Sequence, residues 1–127
     1  MVKRAVAADG ITTEVIGRPT GYGGSENERR WKDAVRVALS GQVVSANPRV
    51  FIELDFRLAP DQLGRNEPDL DNLIKSTIDA LEGVLGERQR TGVRVEADDV
   101  RVERILASKR HTAPDETPGA RIIVRPI

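Results

Sequence analysis

The chain contains no cysteine. That excludes a disulfide framework, a thiolate nucleophile and a thiolate-ligated zinc. Its single histidine, His111, argues against a histidine-based zinc centre and against a serine–histidine–aspartate triad. Aromatic residues make up only 3% of the chain, so the core must be aliphatic. No apolar run approaches the roughly 18–20 residues of a membrane span. The first ten residues carry a basic pair, but their apolar stretch is too short for a signal peptide, and a cytoplasmic protein is expected. Lys and Arg number 20 and Asp and Glu number 20, so the formal net charge is zero. This balance argues against a polyanion-binding tail or a membrane-surface protein, while leaving room for a local basic patch. Any chemistry must come from carboxylates, Lys, Arg, hydroxyls or a bound metal.

What is present suffices for one domain: 127 residues, 39% of them hydrophobic. Residues 1–10 read as a flexible N-terminus and 11–127 as the domain. The β-branched run 11–17 predicts a strand, and the Gly/Pro-rich run 18–24 predicts a loop. Ser25 with Glu28 forms a capping box, and Trp31, Ala34, Val35 and Ala38 recur at helical spacing, predicting a helix over 26–40. Residues 49–58 alternate, with Val50, Ile52, Leu54, Phe56 and Leu58 on one face. After a loop bounded by two prolines, Leu70, Leu73, Ile74, Ile78, Leu81 and Leu85 form the apolar stripe of a second helix over 69–85. Residues 93–95, 100–108 and 121–127 read as extended. The order β-α-β-α-β-β predicts a single α+β domain, a mixed sheet with two helices packed against it.

The densest polar feature is Asp69-Leu70-Asp71-Asn72-Leu73-Ile74-Lys75. On a helix Asp71 and Lys75 are four apart and share a face that borders the apolar stripe. Two carboxylates spaced Asp-x-Asp can converge on a point, as a hard divalent cation requires. The plainer alternative is ordinary capping by Asp69 and a simple ion pair between Asp71 and Lys75. A second acidic pair, Asp98-Asp99, lies between two extended segments, where a turn would also account for it. Together the two pairs and the lysine could supply a complete magnesium nuclease site. Arg101, Arg104, Lys109 and Arg110 follow Asp99 along one segment and are candidate DNA contacts, with Arg65 in the loop before the motif.

The Asp-Leu-Asp-Asn-Leu-x-Lys block at 69–75, the downstream Asp98-Asp99 and Lys109 near the end of the following strand resemble the RusA family of crossover-junction endodeoxyribonucleases. Gly17-Arg18-Pro19 and Trp31-Lys32 extend the likeness more loosely. The resemblance implies a homodimer that binds four-way DNA junctions and nicks two strands symmetrically, with Mg²⁺ as cofactor, Mn²⁺ as a substitute and no organic cofactor. It puts the metal-binding and catalytic carboxylates on Asp69, Asp71 and Asp99, with Asp98 beside them, and the important lysine on Lys75. A relative that keeps the fold as a dimeric DNA-binding module without catalysis is the alternative.

Overall fold

The computed structural model describes residues 5–7, 10–21, 23–44, 49–89 and 95–127. In chain order the elements are β1 (Ala5–Ala7), β2 (Ile11–Ile16), α1 (Glu26–Ala38), β3 (Gln42–Val44), β4 (Val50–Leu58), α2 (Leu70–Asp79), α3 (Glu82–Leu85), β5 (Glu87–Gln89), β6 (Val95–Ala97), β7 (Val102–His111) and β8 (Gly119–Pro126). The domain is α+β, as the patterning predicts. Its main sheet has the order β2-β8-β4-β7. β8 is antiparallel to both of its neighbours, and β7 runs parallel to β4, the mixed arrangement expected. Two small two-stranded pieces, β1–β3 and β5–β6, complete the structure.

α1 starts where the capping box places it. The Ser25 hydroxyl accepts from the Glu28 amide at 3.1 Å, and Glu28 accepts in return from the Gly24 amide at 3.0 Å. Trp31 and Val35 are buried on its inner face. α2 presents Leu73, Thr77 and Ile78 to the same core, and β4 contributes Val50, Ile52, Leu54, Phe56 and Leu58, all buried. The helices therefore cover one face of the sheet. Among the described residues no helix covers the other face, which carries the alternate residues of each strand. One row across it runs Arg125, Phe51, Arg104 on β8, β4 and β7, with the Arg104 guanidinium 5.6 Å from the centre of the Phe51 ring.

Three expectations change. The second helix is not continuous to Leu85. It ends at Asp79, turns through Ala80 and Leu81, and resumes as the single turn α3. Ile78 and Leu85 are buried on either side of that break and Leu81 within it, so the apolar spacing reads straight through it. Gly86, at φ +92, stops α3 in a conformation that favours glycine. The strand expected over 100–108 begins at Val102, after a 3₁₀ turn over Asp99–Arg101, and extends to His111. The third change is the appearance of the short strands β1, β3 and β5, which the sequence pattern does not place because three residues are too few to show a period. Of the flexible segment expected at 1–10, residues 1–4 and 8–9 lie outside the described residues, as do 93–94 of the extended segment at 93–95.

The Trp31 indole N–H donates to the Thr77 hydroxyl at 3.0 Å inside the core, and its ring meets Phe56 at a centroid distance of 6.4 Å and a tilt of 57°. This bond ties α1 to α2 across 46 residues of sequence. Thr77→Val keeps the shape but leaves a buried donor unmet, which costs about 1–3 kcal/mol. Urea unfolding followed by Trp31 fluorescence should show that loss, with Thr77→Ser close to wild type.

Candidate active site

The Asp69–Lys75 motif sits at the exposed start of α2. Pro68 is buried and fixes the entry, and Asp69 follows as the N-cap with extended backbone, its carbonyl accepting from the Leu73 amide at 3.0 Å. Its side chain forms no cap hydrogen bond. Because Leu73, Thr77 and Ile78 face the core, Asp71, Asn72 and Lys75 are turned outward, and all three are exposed. Among the described residues, the side chains of Asp69, Asp71 and Lys75 make no hydrogen bond or ion pair. Neither bland role holds: Asp69 does not cap with its carboxylate, and Asp71 and Lys75, one turn apart, do not pair.

What holds this end of the helix is a latch from β7. The Lys109 ammonium donates to the Glu67 carboxylate at 2.6 Å and to the Pro68 carbonyl at 3.0 Å. The hydrogen bond from Lys109 holds the Glu67 carboxyl below the ordinary glutamate range. His111 adds a second clasp, its Nε2 lying 2.9 Å from the Gln62 carbonyl and 3.5 Å from Glu67. Lys109, expected as a DNA contact, thus spends its charge on positioning Pro68 and Asp69.

The second acidic pair lies elsewhere. The Asp98 amide donates to the Gly86 carbonyl at 2.8 Å, and the Arg101 guanidinium donates to the Leu85 carbonyl at 2.7 Å. These bonds staple the 3₁₀ turn of Asp99–Arg101 to the end of α3, next to the entry of β7. Asp69 is latched near the far end of the same strand. Seven residue steps along the strand lead from Val102 to Lys109, roughly 23 Å of backbone at about 3.3 Å per residue. Among the described residues no group of three or more His, Asp or Glu side chains stands close enough to hold a metal ion. Magnesium typically takes only one or two carboxylates, filling its remaining positions with water and phosphate oxygens. Asp69 and Asp71 match that requirement; Asp98 and Asp99 do not join them within one chain.

Of the remaining candidates, Arg104 and Arg110 lie on the open face of the sheet. Arg110 is clamped to Glu116 by two hydrogen bonds of 2.6 and 2.5 Å. Arg65 is exposed on a 3₁₀ turn over Gly64–Asn66. Sequence reasoning missed a polar cleft beside the motif. Arg18, Thr20, Asn27, Gln62 and Asn66 line it, and it shares Pro68 with a smaller recess bounded by Asp69. These residues come from two loops and the start of α1, where no period marks them; the only sequence signal was the Gly/Pro-rich composition of the first loop. No protein-family model matches the chain, and no curated protein matches it.

Two outcomes follow from these contacts. Lys109→Met removes the latch, and amide exchange at the first turn of α2 should accelerate more than at its last turn. The second concerns acid. Arg110, with help from the Ala113 amide, lowers the Glu116 carboxyl to about 2. A lowered folded value means that the clamp stabilises fully above the unfolded value near 4.5 and is lost as pH falls toward 2. Acid unfolding of Glu116→Gln should therefore show a shallower slope across that window, and a carboxyl NMR titration of the wild type should show Glu116 protonating last among the exposed glutamates.

Proposed function

We propose that this chain is a magnesium-dependent, structure-selective endodeoxyribonuclease of the RusA type, which resolves four-way junctions by paired nicks as a homodimer. The observation that carries this reading is the unengaged state of Asp69, Asp71 and Lys75. Two carboxylates and an ammonium, presented outward on adjacent turns with no structural partner among the described residues, are free to engage a ligand. The residues present fit a hard cation: Asp69 and Asp71 would hold it. Bound there, the ion would activate a water and neutralise charge on the scissile phosphate. Lys75, one turn on, would supply a point charge to a phosphate held beside these carboxylates. Glu67, Pro68 and Lys109 keep that turn in place. The α+β order and the mixed sheet agree with the resemblance drawn from the 69–75 motif.

One observation favours a second reading. Asp98 and Asp99 stand apart from the first pair, and a module that binds branched DNA without cutting it would tolerate that. A labelled four-way junction, incubated with Mg²⁺ or with EDTA, decides. The nuclease gives paired nicks that EDTA abolishes and Mn²⁺ supports. Asp71→Asn should abolish cleavage, and Lys75→Ala should lower the single-turnover rate by roughly 10²–10³-fold. Junction affinity should change far less, since one cation among many phosphate contacts is a small share of binding. Tight binding without cleavage at any metal concentration would leave the silent module. Light scattering at micromolar concentration should give a dimer, because two symmetric nicks require two sites related by a dyad.

A further inference from the structure

The cleft beside Asp69 has a chemistry of its own. Its one cationic wall, Arg18, is neutralised by Asp61 at 2.7 Å, so it does not favour a phosphate. Asn27 and Asn66 stand at the rim, and their amides make no hydrogen bond among the described residues, each leaving donors and an acceptor free. The walls are fixed. Gln62 is buried and bonded at both ends: its oxygen accepts from the Ala59 amide and its nitrogen donates to the Pro19 carbonyl, each at 2.8 Å. That amide locks the 18–21 loop to the loop before α2. Gly21 rests on Asn72 so closely that a Cβ there would stand 2.8 Å from the Asn72 backbone. The slot is therefore preorganised, uncharged overall, and edged by amides.

A neutral, flat group with donors and acceptors along its edge fits such a slot. A nucleobase is that group, and amide side chains pair with base edges. In duplex DNA the Watson–Crick edge is occupied, and a four-way junction can keep all its pairs, so the base must be freed from its partner when the branch point is bound. We infer that this cleft takes an unpaired nucleobase of the branched DNA, next to the phosphate acted on at Asp69 and Asp71, and that Asn27 and Asn66 select which base. The inference rests on the nuclease reading above and adds to it the determinant of where the cut falls.

The test maps cut positions on four-way junctions whose branch-point bases are varied through all four identities. Native Trp31 emission serves as the check that each variant is folded. The wild type should cut with a bias of roughly 10-fold or more between the best and worst base, the scale set by one good amide–base pair. Asn27→Ala or Asn66→Ala should flatten that bias while nicking continues. Asn66→Asp, which only accepts hydrogen bonds, should move the preference toward bases that present an amino group. Variants that cut slowly with an unchanged bias would overturn the inference, as would a wild type that cuts every branch equally. A wild type that cuts no junction would instead sink the nuclease reading, and this assignment with it.

Discussion

The contact of the Lys109 ammonium with Glu67 and Pro68 is the constraint on which the geometry of the candidate site depends. The segment from Ala59 to Pro68 has no regular ladder to hold it, so side chains must fix it. Lys109 does so from a strand whose own position is set by a nine-residue parallel pairing with β4. The latch transmits the stiffness of the sheet to the first turn of α2. It leaves Asp69 and Asp71 outside the bonding, so the rigid element carries the two candidate carboxylates without consuming them.

The zero net charge conceals a cluster of arginines on one sheet face. Because α1 and α2 cover one face of the sheet, the outward positions of β4, β7 and β8 gather Arg57, Arg104, Arg110, Arg121 and Arg125 on the other, with Glu53 and Asp55 of β4 interleaved among them. Arg57 and Arg110 are held by Glu14 and Glu116. Arg121 and Arg125 are exposed. A count over the whole chain could not show this, since local potential depends on which charges share a face.

Much of the fold was legible because periodicity reports burial. The alternation of residues 49–58 and the helical spacing from Trp31 to Ala38 each describe a surface with one dry side, and both elements formed where that pattern placed them. β7 was harder to read at its ends. It is an edge strand, with Ile105 and Leu106 both exposed, so neither face imposes a clean alternation. The Asp69–Lys75 block could be recognised from its residues. Its distance from Asp98 and Asp99 could not, because the length of β7 decides it and no local spacing encodes that length. The polar cleft was illegible for the same reason: Asn27 and Asn66 are 39 positions apart and come to line one cleft only in the folded chain.

β8 is the last strand in chain order, yet it lies between β2 and β4. Until residues 119–126 exist, β2 has no partner in the main sheet and β4 has only β7. A ribosome-borne chain therefore displays two unsatisfied strand borders, flanked by the aliphatic residues of the future core, until that segment emerges. Long-range pairing of this kind closes slowly, and nascent strands with free borders attract one another. Expression of this protein thus competes between late insertion of a single central strand and intermolecular association, and cooler, slower production favours the insertion.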